Sequence, residues 1–377
     1  MKKAGWGLMM LLFLSASFSR AEDGVTEKEI LLGMSSSQTG PLSEIGRSIK
    51  DGATVYFNKV NAAGGVQGRK IKLLVSDDGY QPQKAIENTR QFIEEEKVFA
   101  LYGYLGSPTS VAVMRIFKKA EVPYLAPVTG IESLRTPVDK YIFNLRVSLA
   151  DETEVMVERL VQDLQIKKIG VFIQDDALGE AGRAGVIRAL RKRNMSLAGD
   201  GRYARNTVDV DGALEALIKA NPEAVIMLAA PASSSVLLKK AKARRFTPRF
   251  LSFASGPSAL IHEAGSAADG VIMTQTVPNP GDSALPIVKE YLSDIKAAGL
   301  APDLMSLETY LSAKVMVEAM KRTAPLTREG LLSTLENFKM DAGGVEISFS
   351  PTDHQGIHQV FLTRIENGKL VSIQSLK

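Results

Sequence analysis

The order of hydrophobic and polar residues along this chain predicts strands and helices in alternation. Short apolar runs such as 29–35 and 70–76 end in small or acidic residues, which is typical of buried parallel strands that lead into loops. The segment 43–60 between them has apolar residues at helical spacing. The same pattern predicts strands at 98–102, 122–126, 168–174, 195–203, 224–229 and 249–253, and helices from Pro82 and at 108–120, 151–164, 178–193, 210–220 and 233–245. Such alternation indicates βαβ units and parallel sheets.

The predicted strands are too many for one small sheet, and a weak internal similarity favours two sheets. The segments 72–85 and 167–182 both combine a basic residue, an apolar strand, an Asp-Asp pair and a helix start. The tail differs, with helices predicted at 306–323 and 327–337, strands at 343–350 and 360–365, and a hairpin turn at 366–368 leading to a strand at 369–373. We therefore expect the tail to return and complete the earlier lobes.

Composition narrows the class of protein. The 377 residues are 45% hydrophobic and 23% charged, which is ordinary for a globular protein. The absence of cysteine excludes disulfides, iron–sulfur clusters and a cysteine nucleophile, and three histidines leave little for a metal site. A formal net charge of +4 without a clustered basic face gives no reason to expect nucleic-acid binding.

Residues 1–21 have the features of a cleavable signal peptide. Lys2 and Lys3 precede the unbroken apolar run 8–14, and Ser19 and Ala21 fit the spacing that a signal peptidase accepts. The apolar run is far shorter than the roughly 20 residues that span a bilayer. We therefore predict a soluble mature protein in the periplasm, with 43 basic against 42 acidic residues once Lys2, Lys3 and Arg20 are removed.

Motifs for catalysis are missing from the sequence. It contains no Gly-x-Ser-x-Gly pentapeptide and no P-loop, and His354 and His358 fall in a predicted turn. The glycines between 179 and 185 indicate close packing of a helix on a sheet, and the Asp-Asp pairs are interpreted as acceptors for helix N-terminal amides. We predict a protein that is not an enzyme and has no catalytic residues, no metal and no cofactor.

Hydroxyl groups follow two neighbouring predicted strands. The segment 103–109 leads into a helix, with Ser107 at the expected N-cap and Pro108 at the first helical position, and Thr129 follows the next strand. Ligands of open α/β sheets bind at the carboxyl ends of the strands, where helix amides also favour anions. These hydroxyls therefore indicate either a carboxylate-binding site or ordinary helix capping.

The sequence resembles the leucine/isoleucine/valine-binding protein family, the periplasmic receptors of branched-chain amino-acid ABC transporters. The resemblance covers essentially the whole mature chain and is strongest over 29–146. The matching stretches are Gln38-Thr-Gly-Pro41 with Gly46, Gly52 with 61–71, Asp77-Asp78 with Pro82 and Ala85, the loops that contain Ser107 and Thr129, and 143–146 with Asp151.

The resemblance implies the type I periplasmic binding protein fold. In this α/β fold, two Rossmann-like lobes with parallel-type sheets are joined by three crossovers, and ligand lies in the cleft between them. The implied N-lobe comprises 24–148 and 276–353, and the implied C-lobe comprises 149–275 and 354–377.

The resemblance also implies individual ligand-binding residues in this chain. Ser107 matches the family serine that binds the ligand carboxylate and amine, Thr129 lies at or beside a threonine that holds the same groups, and Tyr310 resembles a tyrosine that lines the cleft. With them we expect the neighbouring loop residues Tyr104, Gly106, Thr109 and Val128, together with Tyr80 and Ser255.

Departures from the family pattern bear on the ligand. The acid that pairs with the ligand ammonium falls near Ala254 or Ser255, which are uncharged, and the tyrosines of the C-lobe fall at Leu178 and Ala230. An ammonium group needs a carboxylate or aromatic partner. The ligand is therefore left open between an amino acid and an aromatic or other organic carboxylate, for which Tyr80, Tyr104 and Tyr310 would form the pocket.

The resemblance implies a monomeric solute receptor that closes around its ligand and is recognised by an ABC permease in the inner membrane. A periplasmic sensor that signals to a membrane receptor is the alternative, since the same fold supports both functions. A secreted hydrolase is the third possibility, and it lacks a nucleophile motif.

Overall fold

The computed structural model describes residues 22–254 and 256–377, in which two β-sheets are each flanked by helices. The predicted signal peptide and Ser255 lie outside the described residues. The α/β fold predicted from the alternating pattern is confirmed, with each sheet forming the centre of one lobe.

The first sheet has five parallel strands in the order β2-β1-β3-β4-β5. Its strands are β1 (Glu29–Ser36), β2 (Lys70–Asp77), β3 (Ala100–Tyr102), β4 (Tyr124–Leu125) and β5 (Ile142–Phe143). Because all five run in the same direction, the loops after them lie at one edge, where the sequence predicted the hydroxyl-bearing loops.

The second sheet has seven strands in the order β14-β13-β10-β9-β8-β6-β7. Its strands are β6 (Ile169–Gln174), β7 (Gly199–Tyr203), β8 (Ala224–Leu228), β9 (Arg249–Ser252), β10 (Ile272–Gln275), β13 (Phe361–Glu366) and β14 (Lys369–Ser372). The last two strands are antiparallel and form the predicted hairpin, with Asn367 and Gly368 at positive φ in its turn. Strands β11 (Lys339–Asp341) and β12 (Glu346–Ser348) form a separate antiparallel pair.

The helices cover both sheets. They are α1 (Ser43–Ala62), α2 (Pro82–Arg90), α3 (Ser107–Lys119), α4 (Leu149–Leu164), α5 (Ala177–Arg191), α6 (Asp211–Ala220), α7 (Pro231–Ala243), α8 (Pro257–Ala264), α9 (Pro286–Ala297), α10 (Leu304–Arg322) and α11 (Arg328–Leu335). The last three belong to the hydrophobic core of the first sheet, so the tail does return to an earlier lobe. No helix among the described residues is both long and apolar enough to cross a bilayer.

The glycines of α5 pack as the sequence indicated. A Cβ on Gly182 would lie 2.7 Å from the Leu228 side chain, and one on Gly185 would lie 2.4 Å from Thr153 Oγ1. These approaches leave no space for a methyl group. The glycine-rich segment therefore seats α5 against β8 and α4.

The chain passes between the two sheets after β5, after β10 and after β12. Two of these crossovers are bonded to each other, because Asn144 N donates to His354 O at 2.8 Å and Gly356 N donates to Asn144 O at 2.8 Å. The hinge is thus a short parallel pairing of two chain segments. The exact boundaries of the lobes stay a prediction.

Candidate functional site

A small cavity lies between the carboxyl ends of the two sheets. Its volume is about 50 Å³, and most of its lining is apolar. The first sheet, its helices and the crossover after β5 contribute Leu42, Ile45, Tyr80, Leu105, Gly106, Ser107, Val128, Thr129, Gly130, Arg146 and Met305, and the second contributes Gln174, Leu178, Ala229, Ala230, Pro231, Phe253 and Ala254. A cavity of this size holds only a few water molecules, so it fits a small ligand.

Ser107 and Thr129 meet at this cavity. Their hydroxyl oxygens lie 2.7 Å apart, and both side chains are buried. Ser107 is the first residue of α3 and Gly106 is the N-cap, with no capping bond from a side chain. The prediction of Ser107 as N-cap was therefore wrong, and its hydroxyl is available to a ligand because it satisfies no helix amide.

Gly106 and Tyr80 form the next part of the wall. Gly106 has φ of +99°, and a Cβ placed there would lie 2.4 Å from Tyr80 Cε2. Only glycine meets both requirements, since other residues rarely adopt this conformation and would displace the ring. Tyr80 itself has φ of +62°, and this turns its side chain toward the cavity.

Tyr80 is also connected to the opposite lobe. Its hydroxyl accepts a hydrogen bond of 3.1 Å from Gln174 Nε2. Gln174 Oε1 accepts from the Tyr203 hydroxyl at 3.0 Å, and that hydroxyl accepts from Ala230 N at 2.9 Å. These bonds use both functional atoms of the Gln174 amide and hold it in one orientation.

The two aspartates after β2 fix the loops beside Tyr80. Partial burial would raise the pKa of Asp77, but hydrogen bonds from the Thr39 hydroxyl and from the amides of Gly79, Gln38 and Thr39 hold it below the ordinary value. Asp78 accepts from the Ser35 hydroxyl and the Tyr80 amide, and burial raises its pKa to about 6. Asp77 and Asp78 were predicted to accept from amides at helix N-termini. This prediction was wrong, because the amides that they accept from belong to loop residues.

The prediction of helix capping holds in part for the two aspartates after β6. Asp176 is the N-cap of α5 and accepts from Leu178 N at 2.9 Å and Gly179 N at 3.3 Å. Asp175 instead pairs with Arg202 on the surface. Helix capping is confirmed for Asp176 alone.

Three predicted site residues lie away from the cavity because their hydroxyls have other partners. The Tyr104 hydroxyl is 2.9 Å from Thr89 Oγ1, and its ring packs against Tyr124 in the core of the first lobe. The Thr109 hydroxyl donates to Leu105 O within its own helix start. The Tyr310 hydroxyl donates to Asp294 on α9. The structure therefore brings Ser107, Thr129, Gly106, Val128 and Tyr80 to one cavity and leaves these three out.

The sequence did not mark Arg146 as a site residue, although it lines the cavity. It lies in the crossover after β5, and its Nη2 atom contacts both lobes: Glu308 Oε2 of α10 at 3.2 Å and Ala254 O at 2.5 Å. Its Nε atom is buried and has no hydrogen-bond partner among residues 22–254 and 256–377. The stretch 143–146, which supports the family resemblance, is the one sequence signal that includes Arg146.

Other charges lie behind the lining. Burial raises the pKa of Glu152 even though Arg146 opposes the shift, and Glu152 accepts from Ala254 N and Thr274 Oγ1. Burial lowers the pKa of Arg135 to about 10, and its guanidinium donates to Gln355 Oε1 and to backbone carbonyls. Neither group reaches the cavity surface.

Within the mainly apolar lining, the polar groups that remain available are donors. No carboxylate among the described residues lines the cavity, whereas Arg146, the hydroxyl pair and the first turns of α3 and α5 all do. Helix N-termini carry partial positive charge. The arrangement is suited to an anion with an apolar body, and no cluster of metal-ligating side chains occurs in the described part of the chain.

Comparison with known proteins agrees with this architecture. A sequence model of the periplasmic binding protein family matches residues 29–369. The Leu/Ile/Val-binding protein homolog 7 of Brucella abortus is 24% identical, and the alignment covers 96% of both chains. A crystal structure titled as a possible leucine/isoleucine/valine-binding protein from Rhodopirellula baltica is 30% identical, with a TM-score of 0.88, over 94% of this chain and 98% of that one.

A similar structure is also known for a protein named for a different ligand. The fatty acid ABC transporter substrate-binding protein from Thermomonospora curvata is 24% identical, with a TM-score of 0.86, over 94% of this chain and 93% of that one. At this identity the similarity concerns the fold. The positions implied for the C-lobe tyrosines of the leucine/isoleucine/valine-binding family, Leu178 and Ala230, both line the cavity here as aliphatic side chains.

Proposed function

This chain belongs to the periplasmic binding protein family, of the leucine/isoleucine/valine-binding type, and from that premise we propose that it captures a small organic carboxylate between its lobes for an ABC importer. The observation that carries the proposal is the pair of hydroxyls of Ser107 and Thr129, 2.7 Å apart at the start of α3 in an apolar cavity.

The hydroxyl pair supplies the binding chemistry. One hydroxyl donates to the other, so one proton of the pair remains to be donated to a ligand oxygen. The backbone N–H groups of Ser107 and Thr109 in the first turn of α3 have no acceptor within the helix, and they favour a negative charge at the same place. A carboxylate docked here satisfies donors that are otherwise without acceptors.

Closure of the lobes would complete the site. The ligand docks first on the N-lobe through Ser107 and Thr129, and the C-lobe then covers it with Leu178, Ala230 and Phe253. Hinge closure of this kind is the usual response of periplasmic binding proteins. The closed form is the one that a permease in the inner membrane would recognise.

The apolar lining favours an aliphatic over an aromatic body for the ligand. Of the three tyrosines expected around an aromatic acid, only Tyr80 lines the cavity, and its ring packs on Gly106. An aromatic acid stays in the panel of ligands to be tested.

Calorimetry with a panel of ligands tests the proposal. The panel contains short aliphatic acids, benzoate, valine and leucine, with a neutral sugar as the control. Binding of at least one carboxylate, together with a ligand-dependent rise in melting temperature, is the expected result. Binding of the sugar alone, or hydrolysis of an ester analogue, would refute it. Loss of uptake of the bound acid when the gene is deleted separates transport from sensing.

A further inference from the structure

Arg146 is the cationic side chain that lines the cavity among the described residues, and its guanidinium is only partly used. Both of its contacts, to Glu308 and to Ala254 O, are made by Nη2. A guanidinium has five N–H donors, and here the Nε donor is buried without a partner in the described part of the chain. Buried donors are nearly always paired in native proteins, so this one indicates an acceptor that arrives with the ligand.

Two other sets of polar groups on the lining also have donors to spare. Tyr80 accepts its hydrogen bond from Gln174, and its own O–H proton is therefore left to be donated. The Ser107 and Thr129 pair has one proton to spare. Together with Arg146, these groups match the acceptor oxygens of a carboxylate.

An ammonium group finds no comparable partner. The nearest buried carboxylates, Glu308 and Glu152, lie behind Arg146 and do not line the cavity. Glu308 Oε2 accepts from Thr276 Oγ1 at 2.7 Å and pairs with Arg146, and Glu152 Oε2 accepts from Ala254 N and Thr274 Oγ1. An α-amino acid would bury its ammonium without a counter-charge, and such burial is unfavourable.

We infer that this site selects carboxylates that lack an α-ammonium group. Arg146 selects the carboxylate, and the lack of a carboxylate among the described lining residues disfavours the ammonium group. The inference rests on the proposed function and narrows its ligand class to short aliphatic acids. Arg146 contacts Glu308 on one lobe and Ala254 on the other, so a ligand bound to it is held at the hinge between them.

Three matched ligands test the inference by calorimetry. They are 3-methylbutanoate, its neutral amide, and valine, which is the same acid with an α-ammonium group. We expect the wild-type protein to bind the acid at least about tenfold more tightly than either of the others, since an unpaired buried charge or a lost charge-assisted bond has at least this effect. Equal or tighter binding of valine overturns the inference but leaves the proposed function intact. Binding of none of the panel carboxylates refutes the proposed function itself.

Two variants assign the selection to Arg146. Arg146→Gln is expected to reduce the preference for acid over amide to below about threefold, because the cation is lost. Glu308→Gln keeps the guanidinium and removes its counter-charge, so the same preference should rise by about threefold or more. A preference that does not change in Arg146→Gln overturns the inference. Should Arg146→Gln fail to fold, an unchanged or lower preference in Glu308→Gln overturns it.

Discussion

The Tyr80 hydroxyl and the Gln174 side-chain amide form a hydrogen bond of 3.1 Å across the cleft. Tyr80 follows β2 of the first sheet, and Gln174 is the last residue of β6 in the second. Both side chains are buried and line the cavity. The bond therefore links the two lobes at the ligand site, and we expect it to break when the lobes separate.

Removing this hydroxyl should weaken ligand binding. A neutral hydrogen bond contributes about 1 kcal/mol, so Tyr80→Phe is expected to lower the affinity about fivefold or more, because the closed form becomes less stable and the ligand loses the Tyr80 donor. Titration calorimetry measures the change. Tyr104→Phe is the matched control, because its hydroxyl contacts Thr89 within one lobe and should leave the affinity unchanged. An equal effect of the two substitutions would show that the bond across the cleft has no special role.

Ser107 should contribute directly to ligand affinity. Ser107→Ala removes a donor to the ligand carboxylate, and the expected loss is about 1–2 kcal/mol, the scale of a charge-assisted hydrogen bond. Ser110→Ala on the same helix is the control, since Ser110 accepts from the Tyr124 hydroxyl in the core. It should reduce stability without changing the affinity. Unchanged affinity in Ser107→Ala would remove this residue from the site.

Gly106 should be intolerant of a side chain for two reasons. The positive φ of this residue strains any other amino acid, and the added Cβ would push the Tyr80 ring away from its place in the wall. Gly106→Ala is therefore expected to lower ligand affinity by about tenfold or more, as overpacking displaces a wall residue. Gly68→Ala is the matched control. Gly68 also has a positive φ, but a Cβ placed there would have no atom within 4 Å.

The two glycine variants separate strain from displacement. Both should lower the melting temperature, whereas only Gly106→Ala should weaken binding. Equal affinities for the two variants would contradict the role given to the contact between Gly106 and Tyr80.

The stability of the protein should depend on pH through Asp78. Burial raises the pKa of this carboxyl from 3.8 to about 6, so the folded state binds its proton more tightly than the unfolded state does. The destabilisation caused by the buried charge is fully present above pH 6 and is relieved as the pH falls toward 4. Asp78→Asn, which keeps an acceptor for the Tyr80 amide, is expected to be more stable than wild type at pH 7 by about 2–3 kcal/mol.

Denaturant unfolding at pH 7 and pH 5 checks this expectation. The difference between Asp78→Asn and wild type should shrink at the lower pH. A variant less stable than wild type at both values would mean that the bonds of Asp78 to Ser35 and Tyr80 outweigh its desolvation.

Much of the fold was predictable because its elements are locally encoded. The strand at β1 and the helix at α1 follow from apolar spacing, and the turn at Asn367 and Gly368 follows from their tolerance of positive φ. Helix α9 and strand β10 were not predicted, since they lie among turn residues or are short. Helix α4 starts at Leu149, two residues before the predicted start at 151, because Ser148 and Asp151 form its capping box.

The site was predictable only where it depends on strand order. Ser107 and Thr129 follow neighbouring parallel strands, so their meeting follows from the sheet. Tyr80 and Tyr104 both follow strands of the first sheet, but only Tyr80 lines the cavity, and the sequence does not indicate its positive φ. The place of Arg146 depends on its contact with Glu308, a residue far along the chain, so the local stretch 143–146 alone does not reveal it.

The most direct test of the central claim is mass spectrometry of ligand that copurifies with the native protein from the cells that naturally produce it. Intact mass under native and denaturing conditions gives the mass of the bound molecule, and extraction with fragmentation gives its functional groups. The proposal that the cleft captures a small carboxylate predicts one bound acid per chain, and the role of Arg146 further predicts that this acid has no amine. A stoichiometric ligand without a carboxylate, such as a sugar, would contradict the account.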